Sequence, residues 1–205
     1  ADAVRLFLFD TDRNTPATET INMTRADHGL WRATVDRPLY GKFYTFSICH
    51  RGQWLAQTPG VWAKAVGTNG QRAAIIDFAT TNPEGWENDR GPVVNSINDV
   101  ILYEMHHRDF SMHTSSGIAH KGKFLALTEH ATTNNYGDAT GIDHLVELGI
   151  THVHILPSYD YNSVDEANLQ LNQYNWGYDP FNYNAPEGSY STDPADPACR
   201  INQMK

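Results

Sequence analysis

Asp99-Val100-Ile101-Leu102-Tyr103-Glu104-Met105 is the stretch whose reading decides the fold. It is a nearly continuous apolar run, the pattern of a strand buried on both faces, as in a parallel sheet. The polar segment 106–140 follows. A connection of that length is functional or holds short elements of its own. Gly141 to Leu148 reads as a short helix, with Ile142, Leu145 and Val146 on one stripe and Gly149 placed to end it. Thr151-His152-Val153-His154-Ile155-Leu156 is the next strand, stopped by Pro157. Strand, crossover helix and strand make a βαβ unit, right-handed by rule. His106, Arg108 and Asp109 follow the first strand, and Tyr159 and Asp160 follow the second. Asn202, Gln203 and Met204 begin a second helix.

Upstream, residues 1–80 read as an all-β module. Ala3–Asp10 is a strand pattern ending in an Asp/Asn/Pro-rich turn, and Gly29–Asp36 alternates over a second strand. Lys42–Ile48 is rich in aromatic and β-branched residues, Arg51-Gly52-Gln53 is a turn, and Ala73–Phe78 closes the set. Short strands with turns at regular spacing predict a β-sandwich. Residues 81–98 are a turn-rich linker holding Asn82-Pro83-Glu84-Gly85-Trp86 and Gly91-Pro92, and 99–205 form the α/β part.

With 205 residues, 40% of them hydrophobic and 19% charged, the composition is that of an ordinary folded protein. The formal net charge of −9, with no basic cluster, argues against a nucleic-acid partner, because phosphates are neutralised by Lys and Arg. No apolar run approaches the ~20 residues of a transmembrane helix, so no membrane partner is expected. There is no secretory signal, and the chain opens at Ala1 without an initiator Met, which implies trimming. Location stays open between secreted or periplasmic and cytoplasmic. Cys49 and Cys199 lie far apart and are expected to be free thiols.

Tyr174-Asn175-Trp176-Gly177-Tyr178-Asp179-Pro180 is the densest aromatic stretch. Gly177 permits a positive φ or a close backbone approach, and Pro180 pushes Asp179 out of the α region, so the rings lie on a loop. Flat aromatic faces beside hydrogen-bonding groups suit a sugar ring; the alternative is a loop that covers a core with buried aromatics. YNWGYDP at 174–180 resembles the signature of type I pullulanases, debranching members of the α-amylase superfamily. DPFNYNAPEGSYSTDP at 179–194, ILYEMHHRDFS at 101–111 and WAKAVGTNGQR at 62–72 agree with it in order.

The resemblance implies a sandwich like a starch- or glycogen-binding module, followed by the first part of a (β/α)8 barrel. Such modules usually open with one further strand, whose absence would leave an edge unpaired. From Asp99 the chain holds roughly a hundred residues, against roughly 250 for a whole barrel. Barrel chemistry sits at the C-terminal strand ends, where the loop 174–180 would lie. The implied activity is endo-hydrolysis of α-1,6 bonds in pullulan, branched starch or glycogen, with retention through a covalent glycosyl-enzyme. The family's nucleophile, acid/base and third carboxylate sit on strands four, five and seven. No catalytic residue is therefore assigned here, and the chain alone is expected to be inactive. Its partners are the α-glucan and the remainder of its own polypeptide. The substrate-binding residues implied are Tyr174, Asn175, Trp176, Tyr178 and Asp179. Tyr178 stacks on the glucose at the cleavage position, and Asn175, Trp176 and Asp179 shape the loop around the branch. Asp179 either accepts sugar hydroxyls or caps the loop backbone. No cofactor is expected, with calcium open for the complete enzyme.

Other chemistry weighs less. Glu104 and Asp109 mimic a retaining pair but read more simply as a strand residue and a partner of Arg108. His106, His107 and His113 lack the spacing of a zinc site, and no Gly-rich phosphate loop occurs. Trp31 and Trp54 are candidate stacking residues of the β module, with core or interface roles as the alternative. Two further readings of the whole remain: a non-catalytic α-glucan-binding protein, and an amylolytic enzyme preferring α-1,4 bonds, which YNWGYDP disfavours.

Overall fold

The computed structural model describes residues 1–205 and is mostly β. Eleven short strands run in chain order: β1 (Ala3–Phe9), β2 (Glu19–Asn22), β3 (Thr24–Arg25), β4 (Trp31–Arg32), β5 (Phe43–His50), β6 (Gln53–Trp54), β7 (Ala73–Ala74), β8 (Leu102–Met105), β9 (His152–Ile155), β10 (Tyr159–Tyr161) and β11 (Pro180–Pro186). Three α-helices accompany them, with short 3-10 turns between: α1 (Asp109–Met112), α2 (Gly141–Glu147) and α3 (Pro197–Met204). No helix is long and apolar enough to cross a membrane.

The N-terminal part holds one five-stranded antiparallel sheet, ordered β2-β1-β5-β6 with β7 also on β5. A separate ribbon pairs β3 with β4. The strand expected over Gly29–Asp36 therefore shrinks to Trp31–Arg32, because only Thr24–Arg25 is there to pair with it. The strand β2 had no clear signal within the polar turn after Asp10. It pairs with Arg5 through Leu8, so β1 lies between two neighbours and is not the open edge expected for it. The hairpin β5–β6 turns at Arg51-Gly52, both in left-handed conformation. Its buried side carries Thr45 and Ser47, whose hydroxyls donate to Gln57 (2.7 Å) and to the Leu55 carbonyl (2.6 Å).

The βαβ reading holds. The strands β8 and β9 pair in parallel, with Leu102 opposite His152 and Met105 opposite Ile155, and α2 lies between them in sequence. Gly149 follows α2 at φ +70°, as a helix-ending glycine should. The expectation of a strand buried on both faces is corrected: Leu102 is 60% exposed and Val153 36%. Two strands have no flanking layer of their own within these residues. For the same reason only Leu145 of the predicted α2 stripe is buried, while Val146 is exposed. The last helix starts at Pro197, five residues earlier than predicted. Asp196 caps it by accepting from the Ala198 N–H (2.8 Å), and Pro197 takes the first turn, where its missing N–H costs nothing.

One small core joins the two parts: Ala63, Val66 and Ala73 meet Ala185 of β11, with Tyr44 against them. A second groups Phe124, Tyr161 and Tyr190 with Val164 of the segment 162–179. Cys49 and Cys199 are both free thiols.

Candidate functional site

After β9 the chain makes an antiparallel pair, β10 with β11, and the segment 162–179 spans the two as a long loop. Its tip is Tyr174–Asp179. Gly177 has φ +92°, and a Cβ there would lie 2.8 Å from both the Cβ and the carbonyl oxygen of Pro157. No side chain fits. Pro157 ends the stretch that follows β9, so this contact fixes the loop at the C-terminal end of the parallel pair.

The polar residues of the loop brace it internally. The Asn175 amide donates to Asp179 (2.5 Å), and its carbonyl oxygen accepts from the Gly177 N–H (2.8 Å). Asp179 also accepts from the Ser163 hydroxyl, and its backbone carbonyl accepts from the Asn162 N–H. Burial works to raise the Asp179 carboxyl, but the bonds from Ser163 and Asn175 outweigh it and hold it below the usual carboxylate range. Asp179 thus ties the Ser163 and Asn175 side chains together across the loop.

The rings face outward. Trp176 is 59% and Tyr178 68% exposed, and Tyr174 is exposed as well. Tyr174 and Trp176 stand nearly perpendicular at 5.8 Å between centroids. His106, buried at the end of β8, supports both, with ring centroids 5.4 Å from Tyr174 and 6.4 Å from Trp176. Its Nε2 donates to the Asn175 carbonyl (2.8 Å), and its Nδ1 accepts from the Asp109 N–H (3.4 Å); this pair of bonds fixes the tautomer. Arg108 donates to Asn172 (2.6 Å) and reaches over Tyr174.

The other candidates have neighbours of their own. Glu104 pairs with His154 (3.1 Å), and Asp109 with Arg108 (3.3 Å). Burial first, and His106 second, push the His107 imidazole down to about 4. It packs edge-on to Phe124 at 4.9 Å as a neutral filler. His113 bonds Ser115 locally. Trp54 lies under the Arg5 guanidinium at 4.0 Å, and Trp31 is half-buried in the short ribbon.

A cluster absent from the sequence reading lies beneath the loop. Carboxylate oxygens of Asp160, Glu166 and Glu187 are all within 4.8 Å of one another and buried. This is the set that could hold a metal ion, but a guanidinium fills the cation's place. Arg200 of α3 is bidentate on Glu166 (2.6 and 3.0 Å), reaches Asp160 (3.4 Å) and gives its remaining donors to the Pro194 and Pro186 carbonyls. Burial, then the charge of Glu166, raise Asp160 to about 7 and Glu187 to about 8. Three carboxyls against one guanidinium thus keep a proton near neutrality. A sequence signal did exist in part: Glu187-Gly188 lies in the quoted run 179–194, and a Cβ on Gly188 would strike Glu166 at 2.3 Å and Arg200 at 2.4 Å.

The chain is 40% identical over 186 residues to the pullulanase of Bacillus subtilis strain 168, covering 91% of this chain and 25% of that protein. Its fold matches the crystal structure of pullulanase from Paenibacillus barengoltzii in complex with maltohexaose and α-cyclodextrin, with a TM-score of 0.96 and 48% identity over 99% of this chain and 31% of that one. It also matches pullulanase from Anoxybacillus sp. LM18-11 complexed with maltotriose (TM-score 0.90, 40% identity, 100% of this chain and 28% of that one). No family model matches the sequence. By these likenesses the chain falls within the α-amylase superfamily. It belongs to the pullulanase family and spans about a quarter of the length of the first curated relatives it matches.

Proposed function

We propose that this chain supplies the substrate-binding loop of a pullulanase-type glycoside hydrolase that cleaves α-1,6 bonds in pullulan, branched starch or glycogen with retention. In this reading 1–80 is a carbohydrate-binding-like β module, 81–98 a linker, and 99–205 the opening part of a (β/α)8 barrel. The remainder of the polypeptide completes the barrel over the exposed faces of β8 and β9 and brings the catalytic carboxylates. The observation that carries the proposal is the loop itself: three rings, Tyr174, Trp176 and Tyr178, exposed at the C-terminal end of a parallel pair on a backbone braced by Asn175, Asp179 and His106. Exposed rings on a fixed backbone are a ready stacking surface for a glucose unit, with little conformational entropy left to lose on binding. The complexes of the Paenibacillus and Anoxybacillus relatives with maltohexaose, α-cyclodextrin and maltotriose support α-glucan as the ligand.

The test is hydrolysis of pullulan by the full-length polypeptide and by residues 1–205 alone, with reducing ends counted and the first-formed anomer read by NMR. Retained α product from the former and none from the latter are expected. Activity of 1–205 that vanishes in Glu104→Gln overturns the assignment. A second reading, glucan binding without cleavage, is favoured by the engagement of Glu104, Asp109 and Asp179 with partners of their own. A full-length polypeptide that retains pullulan and releases no reducing ends decides for it.

A further inference from the structure

The run WAKAVGTNGQR at 62–72 has no part in the stacking surface, yet its turn touches both stems of the loop that carries it. Gly67 through Gly70 close a tight turn, with the Gly70 N–H donating to the Gly67 carbonyl (3.0 Å). The turn is held to the N-terminal module by the Thr68 N–H, which donates to Asp12 (3.1 Å). Asn69 stands at φ +58°, a conformation that asparagine tolerates, and this aims its side chain and its N–H together at the far module. There the Asn69 amide donates to Asp165 (2.9 Å), its carbonyl oxygen accepts from the Glu166 N–H (2.7 Å), and its own N–H donates to the Glu166 carboxylate (2.5 Å). Asp165 and Glu166 form the stem that leaves β10.

The returning stem is held by the next residue. The Gly70 carbonyl accepts from Asn182 of β11 (3.0 Å), and a Cβ on Gly70 would lie 2.2 Å from Asp160 and 2.6 Å from Asn182. From the first stem the contact runs on to the rings: the Asp165 N–H donates to Gln173 (2.8 Å), the residue before Tyr174.

We propose that Asn69 is a positioning residue, through which the N-terminal module sets the place of the aromatic loop and hence the affinity for the glucan. This rests on the stacking reading of Tyr174, Trp176 and Tyr178 given above. Asn69 touches no substrate; it acts through Asp165, Glu166 and Gln173.

The experiment uses the full-length polypeptide with pullulan. Asn69→Gly keeps the left-handed backbone and the N–H to Glu166 while removing both side-chain bonds. Loss of two such bonds is expected to raise KM about fivefold or more, with kcat near that of the parent. In a Tyr178→Ala background the same change is expected to move KM less than in the parent, because one of the rings it positions is gone. Asn69→Asp sets two carboxylates face to face and should also raise KM. Adding Asp165→Asn restores the bond with its direction reversed and should return KM toward the parent, which keeps the idea testable if Asn69→Gly fails to fold. An unchanged KM, a rise equal in both backgrounds, or a fall in unfolding midpoint with normal KM overturns the proposal. A parent that does not cleave pullulan defeats the functional reading instead. Asn69 is then judged by chymotrypsin cutting within 162–179, which must be faster in Asn69→Gly, equal rates overturning its role.

Discussion

The aromatic loop and the carboxylate cluster beneath it are built on opposite plans. At the tip, large rings stand in solvent while the polar groups of Asn175, Asp179 and Ser163 bond one another. In the cluster, three acidic side chains lie out of water around Arg200. Each inverts the common rule for where its residues belong. An exposed ring forgoes roughly 1.5–3 kcal/mol of burial, and hydrogen bonds at about 0.5–1.5 kcal/mol apiece do not by themselves hold a long loop against its entropy. The fixed geometry comes from below. Asp160 and Glu166 on the departing stem meet the Arg200 guanidinium, Asn182 on the returning one bonds Asp160 and the glycine turn, and Glu187 beside it accepts from the Tyr161 and Ser189 N–H groups. A rigid, solvent-facing aromatic surface here is the product of a buried polar joint.

The comparison can be broken most forcefully at Arg200. Arg200→Met leaves the buried carboxyls of Asp160 and Glu166 without their guanidinium, and breaking such an arrangement costs on the order of 3–5 kcal/mol. Urea unfolding of the full-length polypeptide is expected to show that loss together with faster chymotrypsin cutting inside 162–179. Retained stability would show that the joint is not what holds the loop.

At the tip the expectation is reversed. Tyr178→Ala should change unfolding free energy by less than about 0.5 kcal/mol, as at an exposed site. It should lower kcat/KM for pullulan by on the order of 1–3 kcal/mol, as for a lost stacking contact. A variant that unfolds but keeps normal activity in its folded fraction would make the ring a packing residue.

The smallest effect sharpens the comparison through pH. Asp160 and Glu187 are raised to about 7 and about 8, from ordinary values of 3.8 and 4.5. The folded state therefore holds a proton that the unfolded state has released. Stability from this source is complete below pH ~4 and is lost as pH rises through the folded values, by up to ~1.4 kcal/mol per pH unit for one retained proton. His107 acts with the opposite sign: its imidazole is lowered to about 4, so its contribution is lost as pH falls from 6.5. Between pH 6.5 and 8.5 only the cluster's contribution remains of these two. Asp160→Asn should flatten the decline there, and an unchanged slope would place the titration elsewhere.

Much of this was legible in the sequence. The run 99–105, the stripe over 141–148 and the punctuation by Gly149 and Pro157 gave the βαβ order, because period and turn chemistry are local properties of the chain. YNWGYDP could likewise be placed on a loop, since Gly177 and Pro180 act on their own backbone. Tertiary structure alone decided the rest. The strand β2 forms because β1 offers it a partner, and Gly29–Asp36 stays mostly unpaired because no long strand faces it. Glu166, Glu187 and Arg200 look like surface charges in a linear reading. They become a buried joint only when segments far apart in sequence converge, and electrostatic energy depends on distance in space. Asn69 is the clearest case: its role depends on residues nearly a hundred positions away, 97 in the case of Glu166.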